Sequence, residues 1–113
     1  MPKISSISIS KEGEVINDYK FSNENNVISI TIDTEENINY AITSITKEKE
    51  ENETDEDIVR TFTDEYIFAY NTFIIETPYI FTEPNQQVSF TIIPKKDINA
   101  LFYSSSFDGS GST

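Results

Sequence analysis

The stretch Ile28-Ser29-Ile30-Thr31-Ile32 decides the fold. Isoleucine alternates with a small hydroxyl residue at period two, the spacing of a strand with one buried and one open face. Asn23-Glu24-Asn25-Asn26 before it and Thr34-Glu35-Glu36-Asn37 after it have turn composition. The same period recurs upstream. Ile7 and Ile9 alternate with Ser6, Ser8 and Ser10, and after a Lys11-Glu12-Gly13-Glu14 turn Val15, Asn17, Tyr19 and Phe21 form a ladder.

Downstream, Ile38, Tyr40 and Ile42 share one parity, with Ile45 close behind. Ile58, Arg60 and Phe62 share another. Tyr66 to Glu76 is dense in apolar groups, with Tyr66, Phe68 and Tyr70 on one face and Ile67 and Ala69 on the other. Pro78 opens Tyr79-Ile80-Phe81, and Pro84-Asn85-Gln86 turns the chain. Val88, Phe90 and Ile92 make a further strand ended by Pro94, and Ala100 to Tyr103 closes the sheet. Asp55 to Thr61 is the one stretch where a short helix competes, capped by Thr54 or Asp55.

Strand segments at intervals of about ten residues are the pattern of an all-β sandwich or barrel, and alternating strands that each want one buried face point to a single antiparallel β-sandwich of about seven to nine strands. The sandwich is expected over residues 1–103, with a Ser/Gly-rich C-terminal arm over 104–113. An arm of that composition is expected to be disordered when free. Residue choice agrees with strands. There are 18 Ile against a single Leu, Leu101, and three Ala. β-branched side chains suit a pleated surface, whereas Leu and Ala favour helices.

Composition also bears on chemistry. The 113 residues contain no Cys, His or Trp. Missing Cys removes disulfides, thiolate nucleophiles and Cys-based metal sites. Missing His removes the commonest general base and the usual zinc ligand. Twenty acids against eight bases give a net charge of −12. That field opposes direct nucleic-acid binding and anionic membrane surfaces. The first residues alternate apolar groups with Ser and are not expected to act as a signal peptide. No window approaches a membrane span.

Four features are candidates for function. Lys47 to Asp57 holds seven acids and two lysines, a local charge of −5. It reads as an extended loop joining Ile45 to Ile58, facing solvent or a basic partner. It lacks the Gly and the ligand spacing of a calcium loop, so no metal or cofactor is expected. Paired acids such as Glu35-Glu36 and Asp64-Glu65, and Glu83, suit turns better than a glycosidase pair. The aromatic-rich half offers Tyr66, Phe68, Tyr70, Phe73, Tyr79 and Phe81, joined by Phe107, as a candidate protein interface. Such residues more often serve as core, yet this segment carries more apolar surface than one sheet face requires. The two chain ends, Lys3 to Ser10 and Ser104 to Thr113, are the last candidates, as edge strand and arm.

The strand run Ile4 to Tyr103, with a composition of AT-rich codons (Ile, Asn, Lys, Tyr, Phe), resembles the small immunoglobulin-like auxiliary or decoration proteins on the heads of tailed, crAss-like bacteriophages. The chain departs from antibody-type domains in lacking their Cys and Trp. The resemblance implies an immunoglobulin-like form of the sandwich and a non-enzymatic structural protein. It would dock in many copies on the major capsid protein or another virion component and stabilise or decorate the shell. Its place would be the virion surface, after synthesis in the host cytoplasm. Two alternatives stand beside it. One is an acidic DNA mimic that inhibits a nucleic-acid-binding defence protein through the 47–57 loop. The other is a receptor- or sugar-binding module of a tail or surface protein, with Tyr40, Tyr66 or Tyr79 stacking on sugars.

Overall fold

The computed structural model describes residues 2–96 and 102–104. Ten strands run in order: β1 (Ile4–Lys11), β2 (Glu14–Ile16), β3 (Tyr19–Glu24), β4 (Val27–Thr34), β5 (Asn39–Lys47), β6 (Val59–Thr61), β7 (Tyr66–Phe68), β8 (Asn71–Pro78), β9 (Thr91–Pro94) and β10 (Phe102–Ser104). They form two antiparallel sheets packed as a sandwich, so the chain is all-β as its periodicity predicts. One sheet has the order β10-β7-β5-β1-β2, with β6 also on β5; the other is β3-β4-β8-β9. β6 and β7 lie end to end along the same side of β5, so the ten strands fill nine positions across the two sheets. The arm beyond Ser104, including Phe107, lies outside the described residues.

Two hairpins set the register. Lys11 pairs with Glu14 around Glu12-Gly13, both at positive φ (51° and 82°). Glu24 pairs with Val27 around Asn25-Asn26, also both positive (53° and 65°). Two left-handed residues in a row match the twist of the flanking strands, and Asn and Gly tolerate them best. A Cβ on Gly13 would meet nothing within 4 Å, so glycine is there for its backbone freedom and not for space.

The sandwich interior is built from the predicted alternation. Ile28, Ile30 and Ile32 of β4, Ile7 and Ile9 of β1, Ile42 and Ile45 of β5, and Phe73 and Ile75 of β8 are all buried. The Phe68 ring of one sheet meets the Phe73 ring of the other with centroids 4.6 Å apart, and Tyr40 meets Phe68 edge-on at 5.7 Å.

Two breaks in the alternation have one cause. Ile4 to Ile7 and Ile42 to Ile45 are each spaced by three, and each interval contains a β-bulge. On β1 the extra residue is Ser5, between the pairs Ile4↔Lys47 and Ser6↔Thr46. On β5 it is Thr43, between Ser8↔Ser44 and Ile9↔Ile42. A bulge interrupts the ladder and bends the strand. Both bulged residues carry hydroxyls that donate across to the partner strand, Ser5 Oγ to Thr46 O at 3.1 Å and Thr43 Oγ1 to Ser8 O at 3.1 Å.

The structure corrects five sequence expectations. The ladder from Val15 to Phe21 is two strands in different sheets, crossing at Asn17-Asp18. The hairpin pairs Ile9 with Ile16, which turns Ile16 inward and leaves Val15 70% exposed. The segment 66–76 is likewise divided, by Ala69-Tyr70, into β7 and β8 of opposite sheets. Tyr79-Ile80-Phe81 is not a strand: consecutive Tyr79 and Ile80 are both buried, which a two-faced strand does not allow, and they plug one end of the sandwich. Turns fill 55–58 in place of a helix, and β6 follows. Val88 and Phe90 share the half-buried parity of Ile92, but the ladder begins only at Thr91.

Candidate docking face and end cleft

Cross-strand register places a set of small residues on the outer face of the larger sheet. Ser10 lies between Val15 and Ala41, Ser8 pairs with Ser44 and Ser44 with Thr61, and Ser6 pairs with Thr46 and Thr46 with Val59. Directly paired residues share a face. These three rows of three carry no charged side chain, in a chain of net charge −12. The outer face of the other sheet differs. There Lys20, Glu24, Asp33 and Glu76 accompany Thr31, Ile74 and Ile93. Charge is therefore withheld from one broad face and spread over the other. Val15, Ser6 and Thr61 are exposed, and Ser8, Ser10, Ser44, Thr46 and Val59 are half-buried.

The open edge of β1 is partly closed. Tyr19 of β3 donates its hydroxyl to Ile7 O, and Asn23 Oδ1 accepts from Ile4 N at 3.3 Å. These bridges run between the sheets and occupy backbone groups that another strand would need. The expectation that Lys3 to Ser10 offers a free edge is narrowed accordingly: β2 covers residues 9–11, and the two β3 side chains occupy Ile4 N and Ile7 O.

The aromatic candidates divide by burial. Phe68, Phe73 and Tyr79 are core, at 3%, 0% and 4% exposed, so no partner reaches them in this fold. Tyr66 and Phe81 are half-buried. Tyr70 stands out at 70% exposed, because β7 ends at Phe68 and the chain leaves the sheet there. Tyr40, proposed to stack on sugars, is 3% exposed and unavailable for stacking, as is Tyr79.

The 47–57 loop is folded, not extended. Two turns succeed each other, closed by Glu53 N to Glu50 O (3.2 Å) and Asp57 N to Thr54 O (3.1 Å). The loop wraps Lys47, a buried cation at the end of β5. Lys47 Nζ donates to both oxygens of Glu53, at 2.6 and 2.7 Å, and Glu53 Oε1 also accepts from Glu50 N at 2.7 Å. These bonds, that from Lys47 first, hold the Glu53 carboxyl below the usual carboxylate range. Asp57 is lowered by hydrogen bonds from Thr54, and Asp55 by the Lys49 ammonium. Asn52 takes a positive φ of 68° in the first turn. Among the described residues no three acidic side chains converge to hold a metal ion.

At the other end, three crossovers meet: Asn17-Asp18, residues 35–38 and Ala69-Tyr70. They enclose a cleft of about 540 Å³ lined by Asp18, Asp33, Glu35, Lys11, Lys96 and Tyr70, with Tyr40, Thr34 and Asn71 beneath. The buried polar groups of its floor tie the crossovers together. Thr34 Oγ1 donates to Ala69 O at 2.7 Å. Asn71 Nδ2 donates to Lys96 O at 2.6 Å, while its Oδ1 accepts from Thr72 N at 2.7 Å. The Tyr40 hydroxyl accepts from Glu35 N at 2.9 Å. Lys11 pairs with Glu35, which raises the Lys11 pKa, and Thr72 Oγ1 donates to Asp33 at 2.5 Å. The cleft is thus a polar basin with a hydrogen-bonded floor and an exposed aromatic, Tyr70, on its wall.

Sequence reasoning missed both the uncharged face and the cleft. The signal for the face was Ser6, Ser8 and Ser10 alternating with core isoleucines, together with Ser44 and Thr46, but only the register joins them. No protein-family model, curated protein or solved structure matches the chain.

Proposed function

We propose that the protein is a non-enzymatic accessory component of a phage particle, docking through the outer face of its larger sheet on the major capsid protein. The reading rests on the uncharged face Ser6/Ser8/Ser10–Ser44/Thr46–Val59/Thr61 in a strongly acidic chain. Interface cores are depleted in charged residues, because a charge desolvated without a partner is costly. Small Ser and Thr side chains let a complementary surface approach the strands closely. The remaining acidic surface faces solvent and keeps neighbouring copies from associating elsewhere. An immunoglobulin-like sandwich of this kind suits repeated display on a lattice, with fixed geometry and many copies.

The DNA-mimic alternative is less well supported. Two of the seven acids in the 47–57 loop are held by Lys47 and Lys49 within the same loop. A phosphate-like row needs its carboxylates free. Mass spectrometry of washed virions tests the main reading. The protein is expected in a fixed, high ratio to the major capsid protein, and its loss on washing would reject the proposal.

A further inference from the structure

We propose that the end cleft binds a neutral, hydroxyl-rich ring, a mono- or disaccharide unit, stacked on Tyr70. This site is separate from the docking face. Tyr70 is 70% exposed, yet its backbone is held on both sides, since Thr34 Oγ1 donates to Ala69 O and Asn71 is locked to Lys96. An aromatic ring kept open to solvent on a fixed support offers an apolar platform at low ordering cost. The sugar face that carries C–H bonds fits such a platform.

The rest of the lining suits the hydroxyls. Asp18 and Asp33 accept hydrogen bonds, and Lys96 donates them. The buried Tyr40 hydroxyl accepts from Glu35 N and donates to no group among the described residues, leaving one O–H on the cleft floor. A sugar hydroxyl both donates and accepts, so it matches interleaved carboxylates and ammoniums. Three carboxylates (Asp18, Asp33, Glu35) against two ammoniums (Lys11, Lys96) leave a net lining charge of −1. That balance opposes an anion and, with Lys11 already on Glu35, provides no bare carboxylate cage for a cation. A volume of about 540 Å³ falls in the range of ligand pockets.

The test is saturation-transfer NMR on the full chain with the methyl glycosides of glucose, galactose, mannose and N-acetylglucosamine at millimolar concentration. Transfer from the protein's aromatic protons to ring C–H protons of at least one glycoside is expected. Tyr70→Ala should weaken binding by about fivefold, whereas Glu24→Ala, on the outer face of the smaller sheet and outside the cleft lining, should leave it unchanged. Melting curves establish that both variants fold. Absence of transfer to all four glycosides, or transfer unaltered in Tyr70→Ala, would overturn the proposal. Neither result bears on virion association, so the two readings fail separately.

Discussion

Lys47 and Glu53 form a two-pronged ion pair, with Nζ at 2.6 and 2.7 Å from the two carboxylate oxygens, in which the lysine is 4% exposed. The most acidic stretch of the chain is therefore anchored on a buried cation. Removing one partner strands the other, and a buried charge without its counter-ion is among the costlier single defects. Glu53→Gln is expected to lower the melting temperature by about 5–10 °C. The double variant Lys47→Met/Glu53→Gln should recover much of that loss, because the buried position then holds an apolar side chain. A double variant as unstable as the single one would show that the loop gains its order elsewhere.

Acid should loosen the same loop. Glu53, Asp55 and Asp57 all have folded pKa values below their ordinary ones. A lowered carboxyl pKa contributes stability that is complete above the unfolded pKa and lost as pH falls through the folded one. Stability should hold near neutrality and decline below about pH 4. Amide exchange of Glu53 and Asp57 should accelerate there before that of the β4 core. Tyr66 and Tyr79 are raised, chiefly by burial, so the alkaline limit has the opposite sign: stability falls as pH rises past the ordinary tyrosine range.

Each bulge is expected to depend on its hydroxyl. Thr43→Val keeps shape and branching but removes the bond to Ser8 O, at a cost of about 1 kcal/mol in a denaturant titration. Ser5→Ala, at an exposed site, should cost less. Equal stability of Thr43→Val and the wild type would show that the bulge is held by backbone alone.

At the first hairpin, Gly13→Ala should cost about 1 kcal/mol although open space surrounds the site, since φ of 82° is the only obstacle. A neutral result by the same titration would mean that the turn relaxes to another type.

The sequence shows which side of most strands faces inward, because period two is a local property and isoleucine marks it without ambiguity in β4. It does not show which sheet a strand joins. Val15 and Tyr19 read as one ladder, and only the Ile9↔Ile16 pairing reveals that Val15 points outward and that the chain changes sheet at Asn17-Asp18. Bulges at Ser5 and Thr43 were visible only as a three-residue spacing of isoleucines. The uncharged face and the cleft depend on long-range register, joining Ser8 to Ser44 and Thr61 in one case and Asp18 to Tyr70 in the other. Local patterning carries no such information.

Edge protection gives a further outcome. Tyr19→Phe combined with Asn23→Ala removes both bridges to β1. The exposed strand should then self-associate, seen as concentration-dependent sedimentation. A double variant that stays as monodisperse as the wild type would show that the bridges do not guard the edge.

The most direct test of the docking account takes the proposed phage source as its premise and adds purified protein back to virions grown without this gene. The wild type is predicted to bind saturably, in fixed proportion to the major capsid protein. Ser44→Lys, which places a charge at the centre of the uncharged face, is predicted to lose that binding while keeping its melting temperature. Equal binding of the two proteins, or no binding of the wild type, would contradict the account.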